Sequence, residues 1–157
     1  MQVTIILDNL RSVHNVGSIF RTANALSVDE IILCGTTPTP LDRYGNKRGD
    51  FAKVALGAEE TIAWKYEEHT KSVVHDLQSK GYYVIALEQD VSSIDYKKIT
   101  VENKEHIAFV FGAEVDGVSK EVCDMCDVIA EIPMRGSKES LNVSISGAVL
   151  LFRVLDK

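Results

Sequence analysis

Three short segments place polar and glycine residues directly behind apolar runs, where plain turns would have been enough. The first is Asn15-Val-Gly-Ser-Ile-Phe-Arg21-Thr-Ala23. Asn15 suits a helix N-terminus, and Arg21 lies about 9 Å further along the axis, within reach of a long side chain leaning back. An amide, free N–H groups and a guanidinium together can hold an anion such as phosphate. An ordinary asparagine cap followed by a surface arginine is the plainer alternative. The second segment is Phe111-Gly-Ala-Glu114-Val-Asp-Gly117. Glycine behind a strand lets a ligand approach the backbone, and Glu114 between two glycines faces whatever binds there. A simple acidic turn is its alternative. The third, Ile132-Pro-Met-Arg-Gly136-Ser-Lys-Glu-Ser140-Leu-Asn142-Val-Ser144, runs hydroxyls and amides into a strongly apolar helix. Ser140 and Asn142 can cap that helix, or they can serve a site.

The elements that must hold these segments alternate between strand and helix. Strands are expected at Val3–Leu7, Glu30–Cys34, Tyr82–Leu87, Ile107–Phe111 and Val128–Ile132, each an apolar run rich in β-branched or aromatic residues. Helices are expected at Val16–Leu26 with Asn15 as cap, Phe51–Leu56, Thr70–Ser79, Ser119–Cys126 and Leu141–Leu155. Between them Gly35–Gly49, with Pro38, Pro40 and Gly45, reads as a long exposed loop. Such alternation predicts a single domain over residues 1–157, α/β, with a mostly parallel sheet flanked by helices and ligands at the strands' carboxyl ends. The last helix is apolar in every direction, which predicts burial on more than one side, one of them against a second subunit.

A chain of 157 residues with 45% hydrophobic and 25% charged residues is of ordinary globular composition. No apolar run is long enough for a membrane span, and the start lacks the basic region of a signal peptide, so a cytoplasmic protein is expected. Three cysteines argue against a disulfide scaffold. Cys123 and Cys126 form a C-x-x-C pair, but no second pair completes a zinc site, and the pair closes a helix instead of opening one. No metal is expected. The net charge of −6 is concentrated: residues 88–131 hold eleven acids and four lysines, whereas residues 9–53 hold six bases and four acids. The N-terminal third can therefore face phosphate, with Arg43, Lys47 and Arg48, and Lys53 beyond them, as candidate RNA contacts.

Taken together, the three segments resemble the three motifs of the SpoU/TrmH family of the SPOUT superfamily. Asn15, Gly17, Arg21 and Ala23 match the first motif; Gly112, Glu114 and Gly117 match the second. Ile132, Pro133, Met134, Gly136, Ser140, Leu141, Asn142 and Ser144 match the third, while Ser146 stands where alanine is common. The resemblance spans nearly the whole chain. It implies an α/β knot, in which a C-terminal trefoil threads through a loop, and a homodimer. It also implies S-adenosyl-L-methionine held near Leu87, Gly112, Ile132, Met134, Ser140 and Leu141. The implied reaction is methylation of an RNA ribose 2′-hydroxyl, with tRNA favoured over ribosomal RNA. Asn15, Arg21, Glu114, Ser140 and Asn142 are the implied catalytic group, Arg21 clamping phosphate because a free guanidinium stays charged.

Two other classes compete. A dinucleotide- or nucleotide-binding α/β module would show G-x-G-x-x-G or G-x-x-x-x-G-K-[ST] after a strand, and neither occurs. A non-catalytic RNA-binding relative of the same fold would be expected to lose some of the five polar site residues, all of which are present.

Overall fold

Alternating side-chain directions along each strand divide the apolar residues of this chain between two faces of one sheet. The computed structural model describes residues 1–156. The elements run β1 (Gln2–Asp8), α1 (Val13–Ala25), β2 (Glu30–Cys34), α2 (Gly49–Ala55), α3 (Ala58–Thr61), β3 (Ala63–Glu67) and α4 (Thr70–Ser79). They continue with β4 (Tyr83–Leu87), β5 (Ile94–Asp95), a 3₁₀ turn at Tyr96–Lys98, β6 (His106–Gly112), α5 (Lys120–Met125), β7 (Val128–Glu131) and α6 (Val143–Leu155). The sheet order is β3-β2-β1-β6-β4-β7-β5, and every strand pairing is parallel.

Val3, Ile5 and Leu7 of β1, with Ile107, Phe109 and Phe111 of β6, face a core closed by α1, α2 and α6. Ile6, Ala108 and Val110 point the other way, into a core closed by α4 and α5. Phe20 of α1 meets Phe51 of α2 edge-on, ring centroids 5.3 Å apart, a contact worth roughly 0.5–1.5 kcal/mol beyond area burial. Gly17 permits this packing, since a Cβ there would lie 2.8 Å from Val54 Cβ. No helix among the described residues is long and apolar enough to cross a membrane.

The structure departs from the sequence expectation at identifiable places. Helix α1 starts at Val13, because Ser12 is its cap and accepts from the Asn15 amide at 3.2 Å. Asn15 therefore sits inside the first turn, and its side chain does not cap the helix. Strand β3 is an edge strand of mixed exposure, Ala-Trp-Lys-Tyr-Glu, whose pattern carries little apolar signal; β5 is only two residues long. The 35–49 loop is exposed only in part. Thr37 is buried, its hydroxyl donating to the Cys34 carbonyl (2.7 Å) and accepting from the Leu10 amide (3.1 Å), so exposure concentrates in residues 42–47.

The C-x-x-C pair is not set up for redox chemistry. Burial pushes the Cys126 and Cys34 thiols up to about 12 and the Cys123 thiol up to about 11. All three thiols therefore remain protonated at neutral pH and are poor nucleophiles. At pH 8 the folded chain should react with a disulfide reagent far more slowly than the guanidinium-denatured chain. Comparable rates in the two states would contradict the burial assigned to these thiols.

Candidate active site

The carboxyl ends of three adjacent strands, β6, β4 and β7, open into a cavity of about 360 Å³. Leu87 comes from the end of β4, Phe111 and Gly112 from β6, and Ile132 from just beyond β7. Met134, Ser140, Leu141 and Val143 close it from the segment leading into α6. All six residues expected near a cofactor line this one space. Its charged lining is one-signed: Glu88, Glu114, Asp116 and Glu139 face it, with no lysine, arginine or histidine among the described lining residues.

Beside the cavity, three polar side chains from distant parts of the chain form one network. The Asn15 side-chain amide donates to Glu114 Oε1 in a short hydrogen bond. Asn142 Nδ2 donates to Asn15 Oδ1 and to Glu114 Oε1, both at 3.0 Å. Asn142 is also the cap of α6, its Oδ1 accepting from the Ser144 amide at 2.9 Å and the Ser144 hydroxyl at 2.7 Å. The cap expected from the sequence is present, and the same side chain also joins the network with Asn15 and Glu114. The Glu114 carboxylate thus sits where the N-terminal turns of α1 and α6 meet, a position that favours negative charge.

Arg21 does not join this network. Six positions at roughly 3.6 residues per turn leave it about 120° around α1 from Asn15. It is exposed and has no hydrogen-bond or ion-pair partner among the described residues. Ser140 lines the cavity without taking part in the asparagine–glutamate network. Among the loop cations, Lys47 Nζ lies 2.5 Å from Glu60 Oε1, and Arg48 forks onto Asp50 at 3.1 and 2.7 Å. Arg43 instead lies over the Tyr44 ring, 4.7 Å from its centroid.

Two lining residues escaped the sequence reading. The Glu88 carboxylate accepts from the Val118 amide (2.9 Å), and Gln89 Nε2 donates to the Glu139 carbonyl (2.7 Å). Consecutive residues at the end of β4 thereby fasten both loops that wall the cavity. Nothing in Leu87-Glu-Gln-Asp90 marks this, because the partners are backbone groups supplied by remote loops.

An α/β fold with a carboxyl-edge cavity and an asparagine–glutamate network beside it is the architecture of a ligand-binding domain. More particularly, the SpoU rRNA Methylase family matches residues 2–152, and the chain belongs to that family. It is 34% identical over 155 residues to the 23S rRNA (guanosine-2′-O-)-methyltransferase RlmB of Ralstonia nicotianae, covering 96% of this chain and 57% of that one. The AdoMet-bound rRNA methyltransferase of Sinorhizobium meliloti superposes with a TM-score of 0.86 at 27% identity, over 97% of this chain and 55% of its own. The A. aeolicus TrmH/SpoU tRNA modifying enzyme shares the fold, with a TM-score of 0.83 at 20% identity, covering 97% and 73%. The chain thus spans a little over half the length of the Ralstonia relative.

The loop after β6 needs its glycine for a reason different from the one expected. Gly112 lines the cavity, but a Cβ on it would lie 2.2 Å from the Gly117 carbonyl carbon and from the Val118 nitrogen. The missing side chain serves the loop's own return. Gly112→Ala should therefore destabilise the fold by about 1–3 kcal/mol, as other overpacked sites do. Gly49→Ala, with open space around the added carbon, should be neutral or slightly stabilising. Denaturant titration of both variants checks this, and equal midpoints would refute the close return.

Proposed function

We propose that this chain is the catalytic domain of an S-adenosylmethionine-dependent RNA methyltransferase that modifies a ribose 2′-hydroxyl. The observation that carries the reading is the cavity's one-signed lining next to the Asn15–Glu114–Asn142 network. A ligand bearing a sulfonium and an ammonium against one carboxylate is attracted by Glu88, Glu114, Asp116 and Glu139. The pyrophosphate of a dinucleotide would be repelled. The volume and the mixed apolar and backbone walls also suit a nucleoside-sized ligand. Leu87, Gly112, Ile132, Met134, Ser140 and Leu141 would hold it, and when bound it supplies an electrophilic methyl group.

The protein's own part is positioning and electrostatics. Asn15, Ser140 and Asn142 present hydroxyl and amide groups to a ribose, with Glu114 holding both asparagines in place. Arg21, exposed and without a carboxylate partner, clamps the phosphate next to the reacting nucleotide. Arg43, Lys47 and Arg48 contact RNA further out. The ion pairs of Lys47 and Arg48 are surface pairs of little worth and are readily exchanged for phosphate.

The knot and the homodimer belong to the same proposal. Strands β6 and β7 each enter between strands formed earlier in the chain, and α6 then crosses back against α1, which supports a threaded C-terminal segment. Ile145, Val149 and Phe152 make an apolar stripe along α6 that is between 36% and 54% exposed, and a second copy of the chain would cover it. Transfer RNA is the preferred substrate, since a compact fold can be read through shape and backbone. Ribosomal RNA is the second reading, favoured by the name of the Ralstonia relative. Mass spectrometry of ribose methylation in both RNA classes, from cells with and without the gene, separates them.

Calorimetry should show binding of S-adenosylmethionine and none of NAD or FMN; the reverse would sink the proposal. Arg21→Ala should keep cofactor affinity while tritiated methyl transfer to RNA falls by orders of magnitude. Loss of cofactor affinity in that variant would mean the site is wrongly divided. Sedimentation equilibrium should give a dimer, which Phe152→Asp should shift toward the 17.3 kDa chain. A wild-type monomer at micromolar concentration would remove the dimer from the proposal.

A further inference from the structure

We infer that Arg43 and Tyr44 form a stacking platform for an unpaired nucleobase of the RNA, an inference that rests on the RNA-directed reading above. Tyr44 is 73% exposed, in a chain whose other phenylalanine and tyrosine side chains mostly pack against neighbours. The Arg43 guanidinium covers one face of its ring at 4.7 Å, which leaves the opposite face to solvent. No packing role in the fold accounts for so exposed an aromatic side chain. An aromatic face backed by a guanidinium is a surface on which unstacked bases bind, and the positive charge draws the adjoining phosphates.

The platform is held ready by its own turn. Asp42 accepts from the Tyr44 amide (2.8 Å) and the Asn46 amide (2.9 Å), and its carbonyl accepts from the Gly45 amide (3.0 Å). These amides hold the Asp42 carboxyl below the usual carboxylate range, so its charge is answered locally. Leu41 and Lys47 pair across the base of the turn, and the Arg48 amide donates to the Pro40 carbonyl at 3.0 Å. A turn already ordered loses little freedom on binding. Lys47 and Arg48, paired at the surface with Glu60 and Asp50, lie on the stem, while Arg43 and Tyr44 occupy the tip.

Its place in the fold suits a nucleotide near the reacting one. The segment leaves the sheet at the carboxyl end of β2, the same edge that carries the cavity. Helix α2, which follows it, packs on α1, whose first turn carries Asn15. Bases within a duplex are already stacked and cannot use such a platform, so the expected ligand is a single-stranded loop or bulge.

The test uses the full chain and two RNAs: a stem-loop carrying 2-aminopurine in its single-stranded loop, and a blunt duplex of the same stem. Fluorescence titration should show tighter binding of the stem-loop, with the fluorophore quenched. Tyr44→Ala should weaken stem-loop binding roughly tenfold and leave duplex binding unchanged, while Tyr44→Phe should retain wild-type affinity. Arg43→Ala should weaken the stem-loop and flatten its salt dependence. The platform is overturned if Tyr44→Ala binds the stem-loop like wild type, or loses equally on both RNAs. It is also overturned if the wild-type chain shows no preference for the stem-loop. S-adenosylmethionine titrated into the same proteins tells the two readings apart. Intact cofactor binding with failed stacking removes the platform alone, whereas stacking without cofactor binding removes the methyltransferase reading alone.

Discussion

The pairing of β1 with β6 is the constraint from which the rest of the site follows. Seven consecutive register pairs, from Gln2 with His106 to Asp8 with Gly112, join the beginning of the chain to a strand about a hundred residues later. A slip of one residue would turn the Ile5 and Phe109 faces into the wrong core, so burial on both sides fixes the register. Once it is fixed, β1 and β6 end side by side. Helix α1, which follows β1, then brings Asn15 up to Glu114, which follows β6. The meeting of these two side chains is therefore decided deep in the sheet, by apolar residues most of which lie away from the cavity.

Charge is divided across the same edge. The cavity is lined by four carboxylates, whereas Arg11 and Arg21 flank or belong to α1 and Arg43, Lys47 and Arg48 belong to the 42–48 turn. A net charge of −6 conceals this division. If a cationic cofactor and an RNA polyanion bind together as proposed, opposite signs on neighbouring surfaces keep each ligand from competing for the other's place. Glu114 lies at the boundary. Its charge is balanced by two side-chain amides and two helix N-termini, so it does not simply repel an approaching phosphate.

The sheet was legible because its strands are continuous apolar runs and its helices carry clear stripes; β1, β2, β4, β6 and β7 were all found within about a residue or two, the ordinary uncertainty of such boundaries. Strand β3 was not, because an edge strand needs little apolar surface and Ala63–Glu67 shows little. The cap of α1 was misplaced for a local reason. Ser12 and Asn15 are both good caps three residues apart; Ser12 takes the cap, and the Asn15 side chain turns to Glu114, a contact with a residue 99 positions away. Six residues around the cavity could be named beforehand from the resemblance, whereas the fastening by Glu88 and Gln89 could not. Bonds from side chains to remote backbone leave no trace in residue type or spacing.

Asn142 shows how the site and the last helix are coupled. One side of its amide group caps α6, and the other side bonds Asn15 and Glu114. A turn and a half further on, Gly147 lets the helix settle on Phe111, the residue directly before Gly112 in the cavity wall. Leu150, Leu151 and Val154 continue the burial, and Ile145, Val149 and Phe152 lie on the opposite, exposed side. A helix held this way at its cap and along its buried face is a rigid lever. Any force on the exposed stripe reaches the asparagine–glutamate network through a single unbroken element, and a partner covering that stripe would hold the polar network in register. The apolar excess of α6 and the polar residues that precede it are, on this view, two ends of one device for keeping three amide and carboxylate groups within hydrogen-bonding distance.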